Sequence, residues 1–141
     1  PLVRPARTDD VTVIRQLVDL YAPDRRLLSK ATVTLFEDVQ EFMVAEDDTG
    51  VIGCGALHVL WEDLAEVRTL AVDPARQRGG IGSFVLAGLL DRARSLGIKR
   101  VFCLTFATEF FERSFTLFTV TVYFVAPGVC ASVFSVTTFF L

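Results

Sequence analysis

The sequence predicts an α/β domain, a mixed and mostly antiparallel sheet flanked by helices. Three observations predict it. Apolar residues recur at helical spacing in two separate stretches, with runs of strand character between them. Asp47-Asp48-Thr49-Gly50 separates two apolar runs, which is a hairpin signal. A third run, Ala65 to Val72, passes through a glycine-rich loop directly into a helix. Strands interleaved with helices and one hairpin imply a sheet that is partly antiparallel. The length of 141 residues suits one core, so residues 1–141 read as a single domain.

The elements follow in order. Val3 to Ala6 reads as a short strand, after which Thr8, Asp9 and Asp10 offer helix caps. Val11, Ile14, Leu17, Val18 and Tyr21 make one face of a helix that Pro23 ends. A polar stretch, Asp24 to Lys30, leads to a weaker helix through Leu35, Phe36 and Val39. Glu41 to Glu46 and Val51 to Leu60 form the hairpin, and Gly53 and Gly55 in its second strand mark a close approach or a bulge. Ala65 to Val72 is the next strand, stopped by Asp73-Pro74. After the loop Arg76 to Gly82, a helix carries Ile81, Val85, Leu89 and Ala93 on one face, and Gly97 suits its C′ position. Arg100 to Thr105 reads as a buried strand and Thr108 to Arg113 as a short helical segment.

Composition excludes several function classes. A net charge of -3 and a pI near 5.1 argue against nucleic acid, which needs a basic surface. Cys54, Cys103 and Cys130 sit in apolar runs with no paired spacing, so neither a disulfide framework nor a zinc site is expected. His58 is the single histidine, which rules out a multi-histidine metal site. Arg4, Arg7, Asp9 and Asp10 interrupt the N-terminus, so no secretory leader is expected and the cytoplasm is the expected compartment.

The chemistry concentrates in Gln77-Arg78-Gly79-Gly80-Ile81-Gly82. A helix N-terminus presents unpaired backbone N–H groups and a partial positive charge. Glycines let the backbone wrap an anion, so the loop is a nest suited to a pyrophosphate, with Arg76 and Arg78 beside it. A nucleotide P-loop would need Lys-Ser/Thr after the glycines, and a dinucleotide fold would need its glycines after the first strand. Neither fits. The other reading is a plain strand-to-helix turn, which does not need three glycines and two arginines.

Gln77, Gly80 and Gly82 fill the Gln/Arg-x-x-Gly-x-Gly/Ala pattern of the GNAT N-acetyltransferases, after Leu70-Ala71-Val72-Asp73-Pro74. Gly53 to His58, Ala65 to Val72, Leu104-Thr105 and Phe110 to Arg113 look like the acetyltransferase domain of N-acetylglutamate synthases, in the short form without an amino-acid kinase domain. The resemblance covers about residues 3–113. It implies the GNAT fold, with acetyl-CoA in a split between the fourth and fifth strands, and an amino-acid acceptor, L-glutamate. It further implies that Leu70, Ala71 and Val72 pair with the pantetheine arm, and that Gln77, Arg78, Gly79, Gly80, Ile81, Gly82 and Ser83 form the pyrophosphate loop. A base must deprotonate the amine, and Glu66 matches that position. A strand N–H near Leu70 would hold the oxyanion. The leaving thiolate needs a donor; Phe110-Phe111 stand where many relatives carry a tyrosine, and Thr105 is the candidate. Arg68 shares a strand face with Glu66 and is a candidate to hold the acceptor carboxylate, Lys30 matches a basic position that contacts glutamate in the synthases, and each is equally readable as a surface cation. His58 reads as a half-buried strand histidine. The family implies no metal, and a homodimer is left open.

The tail departs from the pattern. Ser114 to Leu141 contains no Asp, Glu, Lys, Arg or His. It reads as a hairpin, Phe115 to Ala126 and Val129 to Phe140, turning at Pro127-Gly128. A membrane anchor over Leu117 to Val136 and a tail translated from a shifted reading frame are the alternatives. Its threonines and Pro-Gly weigh against the anchor.

Overall fold

This computed structural model describes residues 1–21, 31–104, 119–124 and 132–136. The described strands are β1 (Leu2–Pro5), β2 (Phe42–Asp47), β3 (Gly50–Trp61), β4 (Leu64–Val72), β5 (Arg100–Leu104), β6 (Thr119–Phe124) and β7 (Ser132–Val136). The described helices are α1 (Val11–Tyr21), α2 (Thr32–Glu37) and α3 (Ile81–Ser95), with 3-10 turns at Thr8–Asp10, Val39–Glu41 and Pro74–Arg76. Two compact units result, Pro1–Ala56 with Thr69–Leu90, and Leu57–Arg68 with Asp91–Leu141.

In the first unit β1, β2 and the start of β3 form an antiparallel ladder, Val3 opposite Ala45 and Val44 opposite Cys54. The core holds Val11, Ile14, Leu17 and Val18 of α1, Leu35, Phe42, Val44 and Cys54, all nearly inaccessible. Burying each such aliphatic side chain contributes roughly 1.5–3 kcal/mol. The strand glycines are close-approach positions. A Cβ at Gly55 would stand 3.0 Å from Leu89 Cδ1, 3.0 Å from Val85 Cγ1 and 3.1 Å from Leu70 Cδ1. A Cβ at Gly53 would stand 3.0 Å from Ile81 Cγ2. Their missing side chains are therefore what lets the apolar face of α3 lie on β3, and this fixes where the helix begins.

The first unit also contains an ion-pair cluster that the sequence pattern does not disclose. Arg4 on β1 donates to both carboxylate oxygens of Asp10, at 2.8 and 3.0 Å, and to Glu46 on β2 at 2.8 Å. Asp10 also accepts from Arg7 N at 2.7 Å and is buried. The capping role expected of Thr8, Asp9 and Asp10 falls to Asp10 within a 3-10 turn, and the α-helix starts one residue later.

In the second unit β4 pairs parallel with β5, from Leu64 opposite Arg100 to Val67 opposite Cys103. β5 pairs parallel with β6, and β6 pairs antiparallel with β7 from Val120 opposite Val136 to Phe124 opposite Ser132. The tail thus contributes two neighbouring antiparallel strands; Phe115, Pro127 and Gly128 of the expected hairpin lie outside the described residues. Among the described residues no helix is long and apolar enough to cross a membrane. α3 closes as expected: Gly97 takes φ +83, with Gly97 N donating to Arg94 O at 3.0 Å and Ile98 N to Ala93 O at 2.9 Å. That pair of bonds is a Schellman motif.

Candidate functional site

The site is built on the end of β4, the loop after it and the first turn of α3. The strand is not regular. Thr69 has φ 56, in the left-handed region that a β-branched residue avoids. The strain falls immediately before Leu70-Ala71-Val72, the segment expected to meet the pantetheine arm. Thr69 O faces the buried Cys54 thiol of β3, 3.9 Å away. Asp73 N donates to Ile52 O at 2.9 Å, so the last peptide of the strand still holds β3 by its N–H. A trans peptide points its C=O the opposite way. The Val72 carbonyl therefore leaves the ladder, and Tyr21 Oη donates to it.

Asp73 accepts from Ala75 N at 2.9 Å and turns the chain into the 3-10 turn Pro74–Arg76. Pro74 cannot extend the strand, so this stop is local chemistry. Arg78 (φ 70) and Gly80 (φ 78) are both left-handed and bring the chain round to the N-terminus of α3. Residues Ala75 to Gly80, with Ser83 and Phe84, are exposed, while Ile81 is buried under the helix. This exposed loop at the N-terminus of a fifteen-residue helix lies where the sequence places the anion nest, and the left-handed backbone of Arg78 is a feature the sequence does not predict.

The two arginines of the loop behave differently. Arg76 is engaged by Asp47 at 2.6 Å and by Thr49 Oγ1 at 3.3 Å, which ties the loop to the β2–β3 turn. Arg78 makes no ion pair among the described residues and is exposed. Gln77 donates through Nε2 to Tyr21 Oη at 2.7 Å. Tyr21 is the residue that sequence reasoning placed only in the core face of α1, and its hydroxyl has a second role at the site. No spacing rule signals a contact between positions fifty residues apart.

Glu66 and Arg68 lie on β4 in the second unit. Their shared face was legible from the two-residue spacing. Arg68 Nε donates to Glu66 Oε2 at 2.7 Å, and the Glu66 side chain is only 12% exposed. Among the described residues the other oxygen, Oε1, accepts no hydrogen bond. Glu66 also lies close enough to Cys103 on β5 that its charge adds to burial in pushing that thiol up to about 12. Burial pushes Cys54 up to about 12 against the lowering effect of a backbone hydrogen bond at Ala71, so both stay protonated at neutral pH. His58 is half-buried on β3. Lys30 and Thr105 lie outside the described residues. Among the described residues no cluster of His, Cys, Asp and Glu could hold a metal ion.

Comparison with known proteins agrees with this geometry. The sequence profile described as "Acetyltransferase (GNAT) family" matches residues 13–116. The chain is similar to an amino-acid acetyltransferase of Mycobacterium tuberculosis, 60% identical over 116 residues, which are 80% of this chain and 66% of that protein. An M. tuberculosis protein crystallised with CoA superposes with a TM-score of 0.77 at 59% identity, covering 80% of this chain and 69% of the other. N-acetylglutamate synthase from Neisseria gonorrhoeae, complexed with coenzyme A and N-acetyl-glutamate, gives a TM-score of 0.76 at 34% identity, covering 79% of this chain and 27% of the other. The chain thus spans just under two thirds of the mycobacterial relative and about a quarter of the neisserial one. A β-strand strained at Thr69, a left-handed glycine loop at a helix N-terminus, and a family profile over most of the sequence lead to one assignment: the chain belongs to the acetyltransferase (GNAT) family.

Proposed function

We propose that the chain transfers the acetyl group of acetyl-CoA to the α-amino group of an amino acid, with L-glutamate as the acceptor, as in the first step of arginine biosynthesis. The observation that carries this reading is the continuous segment Thr69 to Ser83: a strained strand end, an exposed loop with left-handed Arg78 and Gly80, and the start of α3. It has the chemistry of a CoA site, a strand edge for the pantetheine amides and N–H groups for the pyrophosphate. The likeness to an amino-acid acetyltransferase and to an N-acetylglutamate synthase supports an amino-acid acceptor.

In this reading Leu70, Ala71 and Val72 present the strand to the pantetheine arm. Gln77 to Ser83 enclose the pyrophosphate, with Arg78 as the added charge. Glu66 takes the proton from the acceptor ammonium, and the free amine attacks the thioester carbonyl. The C–N bond forms, the C–S bond breaks, and the second proton of the attacking nitrogen passes to the leaving thiolate, relayed by the Thr105 hydroxyl or water, so that a neutral amide and the CoA thiol are released. A backbone N–H near Leu70 meets the oxyanion in this reading, just after the irregular backbone of Thr69. Arg68 holds Glu66 in place, and Lys30 is the cation assigned to the acceptor carboxylate. The cytoplasm is the proposed compartment.

Thiol release from acetyl-CoA tests this, with L-glutamate and a panel of other amino acids and amines. Release that depends on glutamate, and falls about 100-fold or more in Glu66→Gln with acetyl-CoA affinity retained, is the expected result. Release with a different amine alone replaces glutamate as the acceptor. Binding of acetyl-CoA with no release for any acceptor leaves a cofactor-binding module and sinks the transferase reading.

A further inference from the structure

We infer that Tyr21 is a positioning residue for the CoA site: its hydroxyl joins the end of β4 to the glycine loop and sets the loop's conformation before the cofactor arrives. The inference rests on the acetyl-CoA reading above.

A phenol hydroxyl has one O–H to give and two lone pairs. Tyr21 gives its proton to Val72 O and receives Gln77 Nε2–H at 2.7 Å. The two partners flank the Asp73-Pro74 stop, so one oxygen spans the bend between strand and nest. Both partners need that oxygen. Val72 O points away from β3, because the N–H of the same peptide is held by Ile52 O. Gln77 sits on an exposed loop, immediately before Arg78 and its strained left-handed backbone. Without Tyr21 the Gln77 amide would turn to water, and the loop would sample conformations in which its N–H groups no longer converge.

Tyr21 itself is well anchored. It is the last residue of α1, half-buried, and packs against the core formed by Val11, Ile14, Leu17 and Val18. The ring is held by a rigid helix while the hydroxyl reaches the loop, a supporting contact that keeps a binding loop preorganised. The role is distinct from Gln77's place in the family motif: the Gln77 side chain is directed at Tyr21, and its contribution to the cofactor passes through that contact.

Tyr21→Phe removes one oxygen and leaves the packing. In the full-length chain, the Kd and KM for acetyl-CoA should each rise about five- to tenfold, the worth of one or two hydrogen bonds. The kcat at saturating acetyl-CoA should stay within about twofold, because the reacting atoms are untouched. Gln77→Ala should produce a similar rise, and the double variant should be no weaker than the worse single one. Unchanged Kd in Tyr21→Phe, or effects that multiply in the double variant, overturns the inference, as does a kcat loss with KM unchanged. A second readout uses no cofactor: the side-chain amide resonances of Gln77 should move to the positions of a solvated glutamine in Tyr21→Phe. If they do not move, the coupling is absent. A wild-type chain that binds no acetyl-CoA would refute the acetyltransferase reading instead, and the Gln77 resonances would still decide whether Tyr21 orders the loop.

Discussion

Thr69 carries the most information of any single residue at the site. Its side chain is unremarkable for a strand, and its backbone is not: a left-handed φ costs an L residue roughly 1–2 kcal/mol. Glycine adopts the same conformation without that cost but loses more entropy on folding, about 0.5–1 kcal/mol. Thr69→Gly should therefore leave stability unchanged or raise it by up to about 1 kcal/mol. Denaturant unfolding of the two proteins decides this. A loss above about 1 kcal/mol, as expected for glycine in a regular strand, would show that Thr69 is not strained in solution. The strain was invisible in the sequence, because threonine is a good strand former and Ala65 to Val72 reads as an uninterrupted strand. Arg78 hid its own left-handed φ in the same way, although the glycines around it marked the loop. By contrast, Asp73-Pro74 announces its stop because proline fixes φ and lacks an N–H, and Gly80 and Gly97 stand in a turn and at a helix end, where a left-handed residue is needed and glycine supplies it. Local backbone chemistry was therefore legible. The partners of Tyr21, and the pairing of Arg68 with Glu66 rather than with solvent, depend on side-chain directions that spacing alone does not give.

At the scale of elements, the first unit is tied together at its edge by charge as well as by packing. Arg4 on β1, Asp10 in the turn before α1, and Glu46 on β2 meet in one cluster. Sequence periodicity located all three elements and gave no sign of this contact, because its members are six and forty-two residues apart. Arg4 beside Asp10 holds that carboxyl below the usual carboxylate range, with the Arg7 N–H adding to the effect against a burial penalty. Glu46 is lowered by the same guanidinium. A folded-state pKa below the unfolded one gives stability that is present above the unfolded pKa and lost as pH falls through the folded pKa. The wild-type melting temperature should thus fall steeply below about pH 4, the unfolded value of an aspartate. Asp10→Asn should flatten that acid limb. At pH 7 the same variant should cost about 1.5–3 kcal/mol, the worth of hydrogen bonds between charged groups. Parallel acid limbs in the two proteins would show that the cluster does not form.

The whole molecule divides its proposed tasks between its two units. The residues assigned to acetyl-CoA, Leu70 to Val72 and Gln77 to Ser83, lie in Thr69–Leu90 of the first unit. Glu66 and Arg68 lie in the second, with the charge-free sequence from Ser114 to Leu141. The fold class was legible because element order and the loop motif are local signals repeated along the chain. The tail was partly legible: its threonines and Pro127-Gly128 favour a strand pair over a membrane segment, and β6 and β7 place two antiparallel strands there. On this assignment the residues proposed for the cofactor all precede the tail. A ligand that binds the folded state alone stabilises it by about 2.7 kcal/mol at one hundred times its Kd. For a chain of this length the unfolding entropy converts that to a rise in melting temperature of roughly 9 °C. Acetyl-CoA should produce this rise in the full chain whether or not glutamate is turned over. Added salt should reduce it, because the nest and Arg78 hold the pyrophosphate by charge. A melting temperature that acetyl-CoA does not move would remove the cofactor site from the first unit. A rise with acetyl-CoA that salt leaves intact would shift the binding energy from the pyrophosphate loop to the strand edge at Leu70 to Val72.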